Sequence, residues 1–168
     1  MTRAPPSTRV VVPQLGTTRS FRMTSARPNE APAWHVTRIA NACVLLRLHD
    51  ALIMTDPWFT DSPYFTENAA LPVAKLPALH AILGGHWAKD HWDIESLRDY
   101  EHKATTKVCT AEEHMAKKAR RVGFSQSRRL PWGEQIDLTA RVRLMAIPDH
   151  TFVGRVTSNY ALISEDLR

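Results

Sequence analysis

Residues 43–55, CVLLRLHDALIMT, do most to limit what this chain can become. Two apolar runs, Cys43–Leu48 and Ala51–Thr55, flank His49-Asp50, a two-residue turn. A strand with one wet face alternates apolar and polar residues; these runs are nearly apolar throughout. They predict strands covered on both sides, and so a layered fold around a central sheet. Val36–Ile39 alternates and predicts a partner strand ahead of them. Asp56-Pro57 ends the third strand.

The rest of the body extends this pattern. Leu79–Leu83 predicts a short strand ending at Gly84-Gly85, Asp93–Tyr100 a short helix, and Thr105–Cys109 another strand. Thr110 followed by Glu113 has the spacing of a capping box and opens a helix near 111–122 that stops at Gly123. Beyond it come a strand, a turn at Pro131-Trp132-Gly133, a strand at Val142–Ile147 and a last strand at Ser158–Ile163. The order is β-β-β, long loop, β-α-β-α-β-β-β, an α/β pattern. The loop, residues 57–77, holds four prolines and the aromatics Trp58, Phe59, Tyr64 and Phe65. Ordered loops of that length often carry function.

A net charge of +5 suggests a nucleic-acid partner until it is located. Residues 1–29 contain Arg3, Arg9, Arg19, Arg22 and Arg27 and no acidic residue, which leaves 17 basic against 17 acidic residues elsewhere. A neutral body argues against an electrostatic footprint on DNA or RNA. The basic run Lys117, Lys118, Arg120, Arg121, Arg128 and Arg129 reads as a solvated face. Residues 1–33, with five prolines and no amphipathic period, read as a disordered leader before a domain at 34–168. The leader suits a transit peptide, or a start placed upstream of Met23; it lacks the apolar core of a secretory signal. No apolar run approaches the roughly 18 residues of a membrane span, so the expectation is a cytoplasmic protein. Cys43 and Cys109 lack CxxC spacing and read as buried, reduced thiols in strands.

The chemistry gathers in ILGGHWAKDHWD, residues 82–93. A strand ends in two glycines, where backbone can turn sharply and approach a ligand closely. His86, Asp90 and His91 follow at once, in the place where α/β folds put their sites. Imidazole and carboxylate suit zinc and similar divalent ions. A second strand end, Ile147-Pro148-Asp149-His150, supplies a histidine from far away in the chain. Taken alone, Asp90 and Asp93 could equally cap a helix. His35, His49, His80, His102 and His114 read as surface or packing residues, and Trp58, Phe59, Trp87 and Trp92 as pocket lining or core.

HWAKDH resembles the HxHxDH signature of the metallo-β-lactamase fold, with Ala88 in place of the second histidine. VTRIANACVLLRLHDALIMTDPWF is similar to the opening hairpin of that family, and LPWGEQIDLTARVRLMAIPDH to its Trp-Gly-Glu turn and the strand leading to the next ligand. The resemblance covers about residues 35–165 and is nearest to the lactonase-like, UlaG-type branch. It implies an αββα sandwich with a one- or two-metal site at one edge. His86 and His150 match ligands of the first metal, Asp90 and His91 those of the second, and Asp56 a residue beneath the site that steadies a ligand by hydrogen bond. Asp90 also takes the catalytic role of directing a metal-bound water, whose pKa the ion lowers from roughly 15.7 to about 7. The implied cofactor is Zn2+, one or two ions, with Mn2+ or Fe2+ as alternatives. The implied activity is hydrolysis of an ester, amide or phosphoester in a small-molecule substrate.

The sequence departs from the family in two places. Ala88 has no donor atom, and catalytic zinc usually keeps three protein ligands. The family also continues for a further half-domain that brings a bridging Asp and a last His, whereas here Asp166 is the carboxylate near the end. The expectation is therefore the N-terminal part of the fold, with its C-terminal half incomplete. That would leave a sheet edge open to a homo-oligomer. The alternative function is a catalytically degenerate member that acts as a binding module. A nucleic-acid-processing relative stands third.

Overall fold

The computed structural model describes residues 20–21, 34–60, 72–149 and 157–164. Its main sheet has seven strands in chain order: β1 (Ser20–Phe21), β2 (Trp34–Ala40), β3 (Cys43–Leu48), β4 (Ala51–Thr55), β5 (Ala81–Gly84), β6 (Lys107–Thr110) and β7 (Ser127–Arg129). Pairing is antiparallel as far as β4 and parallel from β4 to β7. The second sheet is antiparallel, in the order β10 (Ser158–Ile163), β9 (Arg143–Pro148), β8 (Gln135–Asp137).

The doubly covered strands are where the apolar runs place them. Leu52 and Met54 of β4, Ile82 of β5 and Val108 of β6 face one core with Met115 and Ala119 of helix α1 (Glu113–Val122). Their neighbours Ile53, Ala81, Leu83 and Cys109 face the opposite way, into a core shared with Leu144 and Ala146 of β9. The period-two alternation of a strand thus sorts one short sequence into two cores. The described residues form three layers: helix, main sheet, second sheet. This is a mixed α/β architecture.

Several expectations need correction. Thr110 is not the N-cap of α1. Its backbone is taken by the β6 ladder, and its hydroxyl donates to the Glu112 carbonyl, so the helix starts after Glu112. The far end is as expected: Gly123 has φ 112° and its N–H donates to Ala119 O and Arg120 O. The helix expected at Asp93–Tyr100 is a single 3-10 turn, Ile94–Leu97, too short for an α-helical ladder. β8 was not anticipated, because three residues with exposed ends carry no readable period and pairing with β9 creates the strand. Within the expected leader, Ser20–Phe21 forms a strand on the otherwise open edge of β2. The remainder of residues 1–33, most of the long loop, His150 and Asp166 lie outside the described residues. Cys43 and Cys109 are buried, unpaired thiols. Among the described residues no helix is long and apolar enough to cross a membrane.

Candidate functional site

Because β4 and β5 run parallel, their C-terminal ends lie side by side, with Thr55 level with Leu83. Asp56 ends β4. Its φ is 43°, a left-handed conformation that aspartate tolerates better than most residues, here directly before Pro57. Its N–H donates to Leu83 O at 3.0 Å, which locks the two strand ends together. Gly84 and Gly85 then turn the chain. A Cβ on Gly84 would lie 2.5 Å from the buried Trp92 ring, and one on Gly85 would lie 2.6 Å from Ser158 O. Both glycines are there because a side chain has no room.

The loop that follows is pinned from three sides. The N–H groups of His91 and Trp92 both donate to Ala88 O, at 2.9 and 2.7 Å. The Asn41 amide, at the tip of the β2–β3 hairpin, donates to Asp90 O at 3.2 Å. Asp93 is buried: its N–H donates to Pro57 O, and its carboxylate accepts the Thr60 hydroxyl. Asp93 is therefore a loop anchor.

His91 stands between two carboxylates. Its Nδ1 is 3.5 Å from Asp56 Oδ2, and its Nε2 is 3.8 Å from Asp90 Oδ2. The His86 ring meets it edge-on, with centroids 5.5 Å apart. Burial pushes the Asp56 carboxyl above its ordinary range. The charge of His91, its hydrogen bond and the Gly85 N–H oppose that rise. Backbone N–H of Ala88 donates to His86 Nδ1 at 3.2 Å, so in a neutral ring the hydrogen sits on Nε2.

Asp56, His86, Asp90 and His91 all border one open cleft of about 450 Å³. Its other wall is Asp149, just past β9, with Thr157, Ser158 and Asn159 at the start of β10. Loops after two strands far apart in sequence therefore converge. Two bonds hold the walls together: Ser158 N–H donates to Gly85 O at 3.1 Å, and the Tyr160 hydroxyl donates to Gly84 O at 3.1 Å; within the second wall, Thr157 donates to Asp149 Oδ2 at 3.0 Å. The sequence reading missed Asp149 and Ser158. The first was legible as a carboxylate beside His150 at a strand end; the second has no local signal and is placed by tertiary structure alone.

Imidazole and carboxylate together suit a divalent ion in kind. In number they fall short, because among the described residues no three His, Cys, Asp or Glu side chains form a metal-holding group. Ala88 lines the cleft without a donor atom, and His150 lies outside the described residues.

No family profile and no curated protein matches the sequence. Solved structures share its fold. A Parabacteroides distasonis protein put forward as a metal-dependent hydrolase matches with a TM-score of 0.58 at 22% identity, over 88% of this chain and 61% of that one. Isothiocyanate hydrolase from Delia radicum gut bacteria matches with a TM-score of 0.62 at 17% identity, over 77% and 58%. CmlA, a diiron β-hydroxylase from Streptomyces venezuelae, matches with a TM-score of 0.57 at 17% identity, over 78% and 27%. The chain shares its fold with these proteins. It spans less than two thirds of each of these three chains.

Proposed function

We propose that the cleft is the active site of a metal-dependent hydrolase of the metallo-β-lactamase type, acting on an ester, amide or phosphoester of a small molecule. The observation that carries the reading is the convergence of His86, Asp90, His91, Asp56 and Asp149 on one cleft at the C-terminal ends of β4, β5 and β9. In this reading Asp90, His91 and His86 would supply donors to a divalent ion only together with His150, the residue after Asp149, since the described side chains alone fall short. When bound, the ion supplies a hydroxide near neutral pH and polarises the attacked oxygen. Asp56 orients the His91 ring through Nδ1, and Asp90, at the cleft, accepts the proton of the attacking water. On the same reading the helix and the two sheets are layers of an αββα sandwich.

Ala88 favours a second reading, a degenerate member that binds without catalysis. Where the family pattern has a histidine, this chain offers a methyl group, and the Ala88 N–H engages His86 Nδ1. Metal content separates the two. The enzyme reading expects about one zinc ion per purified chain, and esterase activity that a chelator removes and zinc restores. A chain that takes up no metal at micromolar zinc would establish the degenerate module. Ala88→His should tighten zinc binding if the remaining donors are still in place; no gain would refute the proposed ligand set.

A further inference from the structure

The described residues expose two large apolar side chains, Trp87 at 37% and Trp132 at 49%. Exposed indoles are uncommon on a protein surface, and each of these two neighbours a residue of the cleft. The Trp132 Nε1–H donates to Ser158 Oγ at 3.0 Å. Ser158 lines the cleft, and its own N–H donates to Gly85 O. Gly85 is followed by His86, also a lining residue, and then by Trp87, whose ring lies 5.8 Å from that of His86 at a tilt of 32°. Each indole therefore adjoins a residue that lines the cleft, Trp132 through its bond to Ser158 and Trp87 through its ring contact with His86. Its bond to Ser158 satisfies the polar atom of Trp132 and fixes the ring, so the face is offered to a ligand at little entropic cost.

We propose that Trp87 and Trp132 form an aromatic rim that selects a substrate with a flat aromatic group beside the bond to be cleaved. The reaction rests on the hydrolase reading above; the grip rests on the rim alone. Stacking on an indole needs no charge, so the selected group is a neutral ring. With an arylmethyl ester, water adds across the acyl–oxygen bond, the carboxylic acid and the arylmethyl alcohol leave, and no other reactant is needed.

The test uses neutral probes in pairs on the full chain. Binding of 2-naphthylmethanol and of its saturated decahydro counterpart is measured by calorimetry, and hydrolysis of the two corresponding acetates by product release. The naphthyl compound should bind more tightly. Trp87→Ala and Trp132→Ala should each weaken it by about fivefold, the size of one lost aromatic contact, and leave the saturated compound within about twofold. Trp132→Phe keeps a ring and should retain most of the preference, which separates stacking from the loss of the Ser158 bond. Equal binding of the two probes, or equal loss of both in the alanine variants, would overturn the proposal. Aromatic-selective binding without hydrolysis of either acetate would uphold the rim and defeat the hydrolase reading. Hydrolysis without aromatic preference would do the reverse.

Discussion

At the residue scale, Asp56 carries much of the site's order. It has a left-handed backbone, a bond to β5 and a carboxylate 3.5 Å from His91. Asp56→Asn keeps the shape and removes the charge. It should weaken zinc binding by about 10–100-fold with little change in the melting temperature, as read by metal titration and calorimetry. The two thiols are the opposite case, since they do no chemistry. Burial pushes Cys43 up to about 12 and Cys109 up to about 11, so both stay protonated at neutral pH. Neither should react with a thiol reagent at pH 8 in the folded chain, and both should react once denaturant is added; a fast native reaction would show that the cores open. His86, Asp90 and His91 drew notice by their spacing, and all three border the cleft. Asp149 was overlooked because a lone carboxylate beside a stronger candidate draws no notice.

At the scale of elements, β3, β4 and β10 could be read to the residue. Each is an apolar run with clear punctuation, such as His49-Asp50 before Ala51. What failed depended on partners. Thr110 looks like a helix cap in one dimension and is claimed by the β5–β6 ladder in three, while Gln135–Asp137 becomes a strand only beside β9. The contact between Gly85 and β10 belongs to the same class, since no local pattern announces it. A methyl group on Gly85 would meet backbone oxygen, which cannot swing aside. Gly85→Ala should cost about 1–3 kcal/mol in a denaturation curve and should also disturb the cleft wall. Full stability in that variant would mean that β10 can shift without penalty.

For the whole molecule, the alternation along β4 links the layers. Met54 faces the helix side and Ile53 the second sheet. Ile53→Ala and Leu144→Ala remove side chains from the same inter-sheet core and should each cost about 2–5 kcal/mol. Made together, they should cost less or more than the sum by a measurable coupling, as expected for residues sharing one core; strict additivity would argue that the sheets pack independently. The layered architecture could be foreseen from strands with no wet face. The meeting of the loops after β5 and β9 was implied by the family resemblance, whereas the seat of β10 against Gly85 was not, because it depends on where β10 lies on β5.

The stitch from Ser158 to Gly85 has a consequence for how the molecule comes apart. One bank of the cleft belongs to each sheet, so a guest lodged there acts as a rivet through both plates, and the seam cannot spread until the guest is shed. Occupancy is thereby written into heat resistance: at a hundredfold excess over Kd, a bound molecule adds about 2.7 kcal/mol to the work of unfolding.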